Sequence, residues 1–494
     1  MADSEALCRC EALIARLGAD KILLPGSTGY NASVSSYFSP QAAAVQPACF
    51  VTPKNVDDVS EVIKSLTSSD DGGPSTFAVR GGGHTWFAGA NSASGGITVD
   101  MRGLDSVELS ADKSCVTVGA GATWGAVYGK LDALGLSVAG GRVAGVGVGG
   151  LTLGGGISFF GPREGWTCDQ VTQFEVVLAD GSVVGASKQD NADLWWGLRG
   201  GSNNFGIVTS LTFRTFEQGP LWTSMTFNPL TEVDNQVRIY TRLTVAENYD
   251  VNASFLTGWA YVGQLGATVV LNQLAYTRAV GNEVPALYQP ILDLPSASPA
   301  LTTPPVVANM STIAQNGTSF QPRQAARYMT VPTCFVLTEA MFRAAYDAFT
   351  ASVPLLKDVP GITWGVNIEP IPPSMYSNKH NGDARTNALG LADGRFAGKT
   401  LGLFLISPAW ADADHDGQVY DAARSLIADV ENRAKEMGLY DPYIYLDYAA
   451  PWQEAIKSYG EESVKKLQAL RKRVDPGMVF THQVKGGFKI PSSD

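Results

Sequence analysis

The pattern of apolar and polar positions divides the chain into two stretches of different texture. In the first, up to about residue 218, short predicted elements are separated by glycine-rich turns. Apolar positions between Val56 and Leu66 recur with helical spacing, which predicts an amphipathic helix. The stretch STFAVR predicts a short strand, and FEVVLADGSVVGAS predicts a β-hairpin that turns at Asp180–Gly181.

Beyond Gly219 the glycine clusters end, and longer amphipathic segments alternate with strands, as in EAMFRAAYDAFTASV and KTLGLFLISPAW. Residues 295–311 are rich in Pro, Ser and Thr, which predicts a surface loop. We therefore expect a second domain at about 219–441. The tail that follows returns to a strand, a basic helix and a turn.

Two glycine clusters interrupt the first stretch. Gly81–Gly83 follow a predicted strand in VRGGGHTWFAGA, and a longer cluster spans Ala139–Gly161. Successive backbone N–H groups in such loops form concave anion sites, so the clusters predict close contact between backbone and phosphate. The alternative is a tight surface turn. The spacing Gly-x-Gly-x-x-Gly occurs at 145–150, but we expect no helix to begin there, which argues against a dinucleotide-binding fold of the Rossmann type.

Composition and charge narrow the possible functions. The formal net charge is −11, which argues against nucleic acid as a partner, since phosphate backbones attract an excess of Lys and Arg. No apolar run is long enough for a membrane helix. Six cysteines in 494 residues make neither a disulfide scaffold nor a zinc motif, so we expect no metal site.

His84 directly follows the first glycine cluster and is one of four histidines. Imidazole is a nucleophile that can bond to an electrophilic cofactor carbon, which makes His84 a candidate covalent attachment point. The alternative is a packed or surface histidine. No second ligand lies at helical or strand spacing from it, which argues against metal binding.

The motifs RGGGH, GVGVGGLTLGGG, DLWWGLRGGSNNFGIVT and YIYLDY…VDPGMVF occur in this order. Together they resemble the FAD-linked oxidases of the vanillyl-alcohol-oxidase type, which have a PCMH-type FAD-binding domain. The berberine-bridge-enzyme-like branch is the nearest, with its fungal members closest in texture. The resemblance implies a two-domain α+β fold. An FAD-binding domain covers 1–218, with its core at about 43–217. A substrate domain with a helix-covered antiparallel sheet covers 219–441, and a C-terminal segment at 442–494 returns to the FAD domain.

The resemblance also implies where FAD binds. The first glycine cluster would cradle the pyrophosphate, and His84 would carry the isoalloxazine 8α-methyl covalently. The second cluster would run along the pyrophosphate and the ring, and Ile207 would meet the adenine end. The implied cofactor residues are Gly81, Gly82, Gly83, His84, Thr85, Gly141, Val146, Gly147, Gly150, Gly154, Ile207 and Asp447.

Four residues depart from, or refine, the family pattern. Val143 stands where many relatives have a second covalent ligand, a cysteine, so a single link is implied. Leu151 replaces a histidine that often contacts the flavin. Val146 matches a small residue on the oxygen-access side in oxidases, and Trp86 replaces a tyrosine common in sugar-oxidising relatives.

The cysteines and the compartment stay open at this stage. Cys10 and Cys49 resemble an N-terminal disulfide of secreted relatives. The first residues lack the basic and apolar regions of a secretory signal, which favours the cytoplasm. Secretion remains possible if a signal has been removed.

The resemblance suggests Tyr445 or Glu369 as the catalytic base. The alternatives are core packing for Tyr445 and a solvated carboxylate for Glu369. We expect a flavin oxidase that takes hydride from a small organic molecule and passes the electrons to O₂ to give H₂O₂. The aromatic content of the second domain favours a bulky substrate that is apolar or aromatic. A fungal secondary metabolite fits this description. The alternatives are a redox-neutral isomerase or cyclase, a carbohydrate or alcohol oxidase, and a non-enzymatic flavin-storage or ligand-binding protein.

Overall fold

The computed structural model describes residues 4–68, 75–297, 303–319, 326–377, 379–380, 383–384, 386–391, 396 and 398–492. Its helices are α1 (Ser4–Leu17), α2 (Thr28–Ser35), α3 (Pro40–Ala43), α4 (Val56–Thr67), α5 (Trp124–Asp132), α6 (Val148–Leu153), α7 (Gly161–Glu164), α8 (Ala192–Leu198), α9 (Val233–Leu243), α10 (Gln289–Leu292), α11 (Met310–Ser319), α12 (Glu339–Ser352), α13 (Pro373–Tyr376), α14 (Asp416–Glu436), α15 (Glu461–Val474) and α16 (Val479–His482).

The first sheet leads directly into the first glycine cluster. Its strands are β1 (Ile22–Leu23), β2 (Cys49–Val51), β3 (Phe77–Arg80) and β4 (Ile97–Asp100), in the order β1-β2-β4-β3. β4 pairs in parallel with both β2 and β3. The predicted helix at 56–66 is α4, which begins where the Asn55 side chain accepts a hydrogen bond from the Asp58 N–H.

A second, antiparallel sheet completes this half of the chain. The strands are β5 (Val107–Leu109), β6 (Cys115–Gly119), β7 (Leu136–Ser137), β8 (Val171–Val177), β9 (Val183–Ser187), β10 (Ile207–Arg214) and β11 (Phe216–Glu217). The sheet order is β5-β6-β10-β8-β9, and β7 pairs separately with β11. The predicted hairpin at Asp180–Gly181 is confirmed, with Gly181 at a φ of 80° in its turn.

The remaining strands belong largely to one antiparallel sheet. They are β12 (Leu221–Asn228), β13 (Ala253–Val262), β14 (Ala267–Tyr276), β15 (Thr303–Ala308), β16 (Arg327–Tyr328), β17 (Val331–Val336), β18 (Thr363–Ile371), β19 (Lys379–His380), β20 (Asp383–Ala384), β21 (Leu401–Ile406), β22 (Ala409–Trp410) and β23 (Tyr440–Asp441). The main path runs β15-β12-β14-β13-β18-β21-β17-β23, while β19 pairs only with β20 among the described strands. Apolar residues of α12 and α14 pack on this sheet, so the predicted α+β class is confirmed.

Two local predictions were wrong. Residues 303–308, within the predicted surface loop at 295–311, form the edge strand β15, which pairs with β12. Proline is tolerated there because an edge strand leaves one row of N–H groups unpaired. The spacing Gly-x-Gly-x-x-Gly does lead into a helix, since Gly147 is the N-cap of α6. No strand immediately precedes it, so the Rossmann context is still missing.

The core is continuous from one half of the chain to the other. One buried cluster includes Val118 of β6, Leu403 of β21 and Tyr445 of the tail. The disulfide suggested by resemblance is present between Cys10 of α1 and Cys49 of β2. Within the described ranges, no helix combines the length and the apolar character that crossing a membrane requires.

Candidate functional site

A cavity of about 450 Å³ lies where the two halves of the chain meet. Its volume falls within the range of small-molecule and cofactor sites. The first half contributes the loop after β3, the loop before α6 and the start of β10. The large sheet contributes residues of β18 and β21, and the tail contributes residues 445–449 and 480–488.

The two glycine clusters press against each other at one wall of the cavity. A Cβ atom on Gly82 would lie 2.6 Å from the Gly147 backbone nitrogen, and one on Gly147 would lie 2.5 Å from that of Gly82. Gly83 has a φ of 68°, in the left-handed region that favours glycine. The contact between the loops therefore requires glycine at Gly82 and Gly147, and the backbone conformation favours glycine at Gly83.

A buried arginine holds the first glycine loop from behind. Arg80 donates hydrogen bonds to the Ser33 carbonyl and to Ser36 Oγ, both at 2.7 Å. Its guanidinium lies 3.7 Å from Asp100 Oδ2 and 3.8 Å from the centre of the Tyr37 ring. These contacts compensate the burial of the charge, which lowers the pKa of Arg80. Arg80 is the last residue of β3, so these contacts also fix the start of the glycine loop that follows it.

Two other glycines leave room for a methyl group. A Cβ on Gly81 would have no atom closer than 3.6 Å, and one on Gly150 would have none within 4 Å. Both residues line the cavity. The neighbouring Gly149 differs, since its Cβ would lie 2.8 Å from the Ala120 carbonyl oxygen. Gly81 and Gly150 thus leave room that protein packing does not use, as a cradle for an elongated ligand would.

Most of the cofactor residues predicted from sequence converge on this cavity. Those that line it are Gly81, Gly82, Gly83, His84, Thr85, Val146, Gly147, Gly150, Ile207 and Asp447. Gly141 and Gly154 lie outside the lining. Gly141 packs under the Trp124 ring, and its carbonyl accepts a hydrogen bond from Tyr128. Gly154 lies against Asp447, where a Cβ would overlap the carboxylate.

His84 lies in the lining with an aromatic ring stacked on it. The Phe38 and His84 rings are 4.2 Å apart between centroids, at an interplanar angle of 19°. Val143, in the position of the missing cysteine, also lines the cavity, as does Trp86. Phe38 was not singled out from the sequence, because nothing in its neighbourhood along the chain predicts that it reaches residue 84.

The two predicted catalytic residues both line the cavity, each within a different polar pair or cluster. Tyr445 donates a hydrogen bond of 2.7 Å to Asp447 Oδ2. Burial, followed by the neighbouring carboxylate, raises the pKa of Tyr445 well above 10. Burial also raises the pKa of Asp447 from 3.8 to about 7, against the lowering effect of the hydrogen bonds from Tyr445 and from the Gly156 N–H. Near neutral pH, Asp447 is the member of the pair that can gain or lose a proton.

Glu369 belongs to a cluster that the sequence did not predict. It is 5% exposed on β18 and accepts a hydrogen bond of 3.0 Å from Arg142. Arg142 also donates to the Tyr448 hydroxyl at 2.6 Å, and that hydroxyl is 3.4 Å from Glu369 Oε1. Burial acts to lower the pKa of Arg142, but Glu369 and Tyr448 raise it above its ordinary value. The arginine therefore stays charged and holds Glu369 in a fixed position.

Arg142 and Tyr448 were missed although signals existed for both. Arg142 is the only charged residue within the second glycine cluster, where a charge is unexpected. Tyr448 is the second tyrosine of YLDY, and the single 3₁₀ turn at Leu446–Tyr448 brings both tyrosines to the cavity. Their rings meet edge-on at 4.9 Å.

The residues that line the cavity are suited to hold FAD. The cradle at Gly81 and Gly150 provides backbone close to the ligand, and His84 provides a nucleophile at its end. The polar clusters around Tyr445 and Glu369 contain groups of the kind that bind substrates or transfer protons in enzymes. A redox cofactor beside acid–base side chains is the composition of an oxidoreductase site.

Comparison with known proteins agrees with this interpretation. Residues 47–187 match the FAD binding domain family. FAD-dependent monooxygenase CTB5 of Cercospora beticola is 33% identical over 496 residues, covering 98% of this chain and 91% of that protein. Oligopeptidase PhomG' of Diaporthe leptostromiformis is 38% identical over 483 residues. The chain spans only 37% of the length of that relative, so the peptidase in its name describes that protein alone.

Solved structures share the fold at low sequence identity. Physcomitrella patens BBE-like 1 has a TM-score of 0.76 and 19% identity, covering 98% of this chain and 99% of that one. Glucooligosaccharide oxidase from Acremonium strictum, described with a 6-S-cysteinyl, 8α-N1-histidyl FAD, has a TM-score of 0.75 and 18% identity, with the same coverage. Both have the PCMH-type fold expected from the motifs. The chain belongs to the family of FAD-dependent oxidoreductases that includes CTB5, and it shares its fold with the two solved structures.

Proposed function

We propose that this protein is an oxidase whose FAD is linked through a single covalent bond to His84. The observation that carries the proposal is the position of His84 beside the cradle formed by Gly81 and Gly150. A histidyl link is described for the glucooligosaccharide oxidase of similar fold, together with a cysteinyl link. Val143 lacks a thiol, so the second link has no counterpart here. A covalent link anchors the flavin and makes it a stronger oxidant.

FAD held by the residues of the cradle would supply a hydride acceptor, and the side chains of the cavity would supply the proton chemistry. Tyr445 alone is a poor base, because burial raises its pKa. Its hydroxyl can take a substrate proton only as it passes its own proton to Asp447, 2.7 Å away. Asp447, with a pKa of about 7, is suited to receive that proton near neutral pH. We therefore assign the role of base to the Tyr445–Asp447 pair.

Glu369 has a different proposed role from that pair. Its carboxylate is held by Arg142 and faces Tyr448, and all three residues line the cavity. An ion pair so placed orients a substrate hydroxyl by accepting its hydrogen bond, and it offers a second acceptor for the proton. Either role keeps Glu369 in contact with the substrate rather than in solvent.

The cavity lining favours an aromatic or bulky apolar substrate that carries a hydroxyl group. The aromatic residues that line it include Phe38, Trp86, Phe87 and Tyr328, while Leu405 adds an aliphatic contact. Flat apolar surface of this kind is buried well by an aromatic ligand. A fungal secondary metabolite would meet this description, and the fungal origin of the sequence relatives supports it. An oligosaccharide, the substrate named for several structural neighbours, is the less favoured alternative.

A second candidate function is monooxygenation, because the relatives from Cercospora beticola and Emericella nidulans are named FAD-dependent monooxygenases. Val146, on the cavity wall, is small, which favours direct access of O₂ and supports the oxidase.

We further propose that the FAD-binding domain covers residues 1–218, the substrate domain 219–441 and a returning C-terminal segment 442–494.

Turnover of benzylic and naphthylic alcohols under ¹⁸O₂ tests the proposal, with xylobiose as an oligosaccharide probe. An oxidase yields one H₂O₂ for each product molecule, and the product contains no ¹⁸O. A monooxygenase yields product with one ¹⁸O atom and consumes an added nicotinamide reductant. Product formed without O₂ consumption would instead support the isomerase or cyclase. Binding without any turnover would support a storage protein.

A further inference from the structure

Phe38 contacts the proposed attachment residue and the residue before it. Its ring stacks on the His84 ring at 4.2 Å, and its backbone N–H donates a hydrogen bond of 3.1 Å to the Gly83 carbonyl. The Phe38 ring also makes a T-shaped contact with the Tyr328 ring, with 5.3 Å between the centroids and 86° between the planes. Phe38 therefore lies between the large sheet and the histidine, with both ring and backbone fixed.

The residues on either side of Phe38 hold the same loop farther along. The Tyr37 hydroxyl donates a hydrogen bond of 3.0 Å to the Asn91 carbonyl. Ser39 Oγ donates to the Trp86 carbonyl. Residues 37–39 thus contact the loop at three points. The loop that carries His84 is therefore positioned by side-chain and backbone contacts from a segment that lies far earlier in the sequence.

We propose that Phe38 is a positioning residue for covalent attachment of FAD to His84, an inference that rests on the proposed function. Attachment replaces one C–H bond of the 8α-methyl and one imidazole N–H bond with a C–N bond. Two protons leave, and two electrons remain on the isoalloxazine until O₂ removes them as H₂O₂. The imidazole becomes positively charged while the new bond forms and the N–H proton is still present.

The Phe38 ring serves this step in two physical ways. The electron-rich face of an aromatic ring stabilises a cation lying over it, and the charge develops on the ring that Phe38 faces. Stacking also restricts rotation of the imidazole, so that less entropy is lost when its nitrogen meets the methyl carbon. An aliphatic side chain of similar size supplies neither effect.

The test compares Phe38→Leu and Phe38→Tyr with the unchanged protein and with Phe216→Leu. Phe216 is not among the residues that line the cavity, and it contacts the Phe160 ring and the Arg163 guanidinium, so its replacement removes an aromatic ring away from the stack. Each purified protein is incubated with excess FAD in air, and samples are precipitated with acid over time. The readout is the covalent fraction of bound flavin, with total bound FAD measured separately, so substrate turnover is not needed.

We expect Phe38→Leu to slow attachment about fivefold while it still binds FAD, because the cation–π stabilisation is lost. Phe38→Tyr and Phe216→Leu should stay within about twofold of the unchanged protein, since an aromatic face on His84 is kept in both. Attachment by Phe38→Leu at the unchanged rate would overturn the proposal. If Phe38→Leu does not fold, Phe38→Met replaces it. Failure of both to bind FAD would also overturn it, since Phe38 would then act in folding.

The failure of this inference differs from the failure of the proposed function. If the unchanged protein releases all its flavin in acid, or if His84→Ala keeps it, the covalent link to His84 is wrong. If the link depends on His84 but not on Phe38, only the role of Phe38 is wrong.

Discussion

The cavity has two walls that are built from different materials. One wall is backbone, formed by residues 81–85 and 146–150, where glycines meet each other and leave a cradle. The other wall is made of side chains, with Glu369 on a strand of the large sheet and Tyr445, Asp447 and Tyr448 in the tail.

The difference teaches which substitutions each wall should tolerate. The backbone wall is defined by the absence of side chains, so an added methyl group should disturb its packing or its contact with FAD. The groups that transfer protons should be unaffected. The side-chain wall is defined by hydrogen bonds and charge, so a change of one atom can abolish chemistry while the fold is kept. The predictions below test this contrast.

The largest effect should come from Asp447→Asn. The amide keeps the size of the carboxylate but cannot take the proton from Tyr445, so kcat/KM should fall about 10³-fold, as for loss of general base catalysis. In the unchanged protein, kcat/KM should rise with pH through about 7 as Asp447 ionises. The variant should lack that rise. Rates measured across pH with any alcohol that the protein oxidises check both points, and an unchanged profile would remove Asp447 from the base.

Stability offers an independent control for the same substitution. The folded-state pKa of Asp447, about 7, lies above its ordinary value of 3.8, so the folded protein binds more protons than the unfolded chain between these values. Asp447 should therefore lower the free energy of unfolding as pH rises from about 4 to about 7. Asp447→Asn should be the more stable protein at pH 8. Urea unfolding at pH 5 and pH 8 measures this, and equal pH dependence in both proteins would contradict it.

Arg142→Met should have the next largest effect, this time on stability. It leaves the buried Glu369 carboxylate with only the Tyr448 hydroxyl from the cluster, which should cost about 3 kcal/mol of unfolding free energy. Lys457→Met is the matched control, since it removes an exposed ion pair with Glu454 and should change little. Equal unfolding midpoints in urea for both variants would show that the cluster is not a buried ion pair.

Gly82→Ala tests the backbone wall. Its Cβ would lie 2.6 Å from Gly147, so the two loops must move apart, at a cost of about 2 kcal/mol. Gly145→Ala, in the second cluster two residues before Gly147, has nothing within 4 Å of its Cβ and should be close to neutral. Thermal unfolding of the two variants gives the comparison. A neutral Gly82→Ala would mean that the loops are not in contact.

Gly150→Ala should have the smallest effect, and it should weaken FAD binding without lowering the stability of the protein. The protein without flavin should keep or slightly gain stability, because alanine is favoured over glycine within α6. Affinity for FAD should fall about fivefold, since the methyl group enters the cradle. Titration of His84→Ala protein, with and without Gly150→Ala, measures reversible binding. Unchanged affinity would exclude this part of the wall from the cofactor site.

The two walls also differ in how far the sequence predicts them. Helix α4 and the hairpin at Asp180–Gly181 follow from local periodicity and turn chemistry, and both are confirmed. The glycine loops were predicted because composition alone reveals them. Their mutual contact at Gly82 and Gly147 was not, because it depends on segments 65 residues apart (147 − 82).

The side-chain wall depends on longer distances still. Arg142 and Glu369 are 227 residues apart in sequence, and no local pattern predicts that they pair. Tyr445 was predicted from its motif, but the proton capacity of its partner Asp447 arises from burial, which is a property of the folded chain. Strand β15 was missed because its prolines argue against a strand in the local sequence. Its strand conformation depends on pairing with β12, which the local sequence does not reveal.

The measurement that tests the central claim most directly is the absorption spectrum of the purified protein before and after acid precipitation, with His84→Ala beside it. If His84 carries the flavin, the yellow colour stays in the pellet of the unchanged protein and moves to the supernatant for His84→Ala. Flavin released from both proteins, or a colourless unchanged protein, would contradict the account.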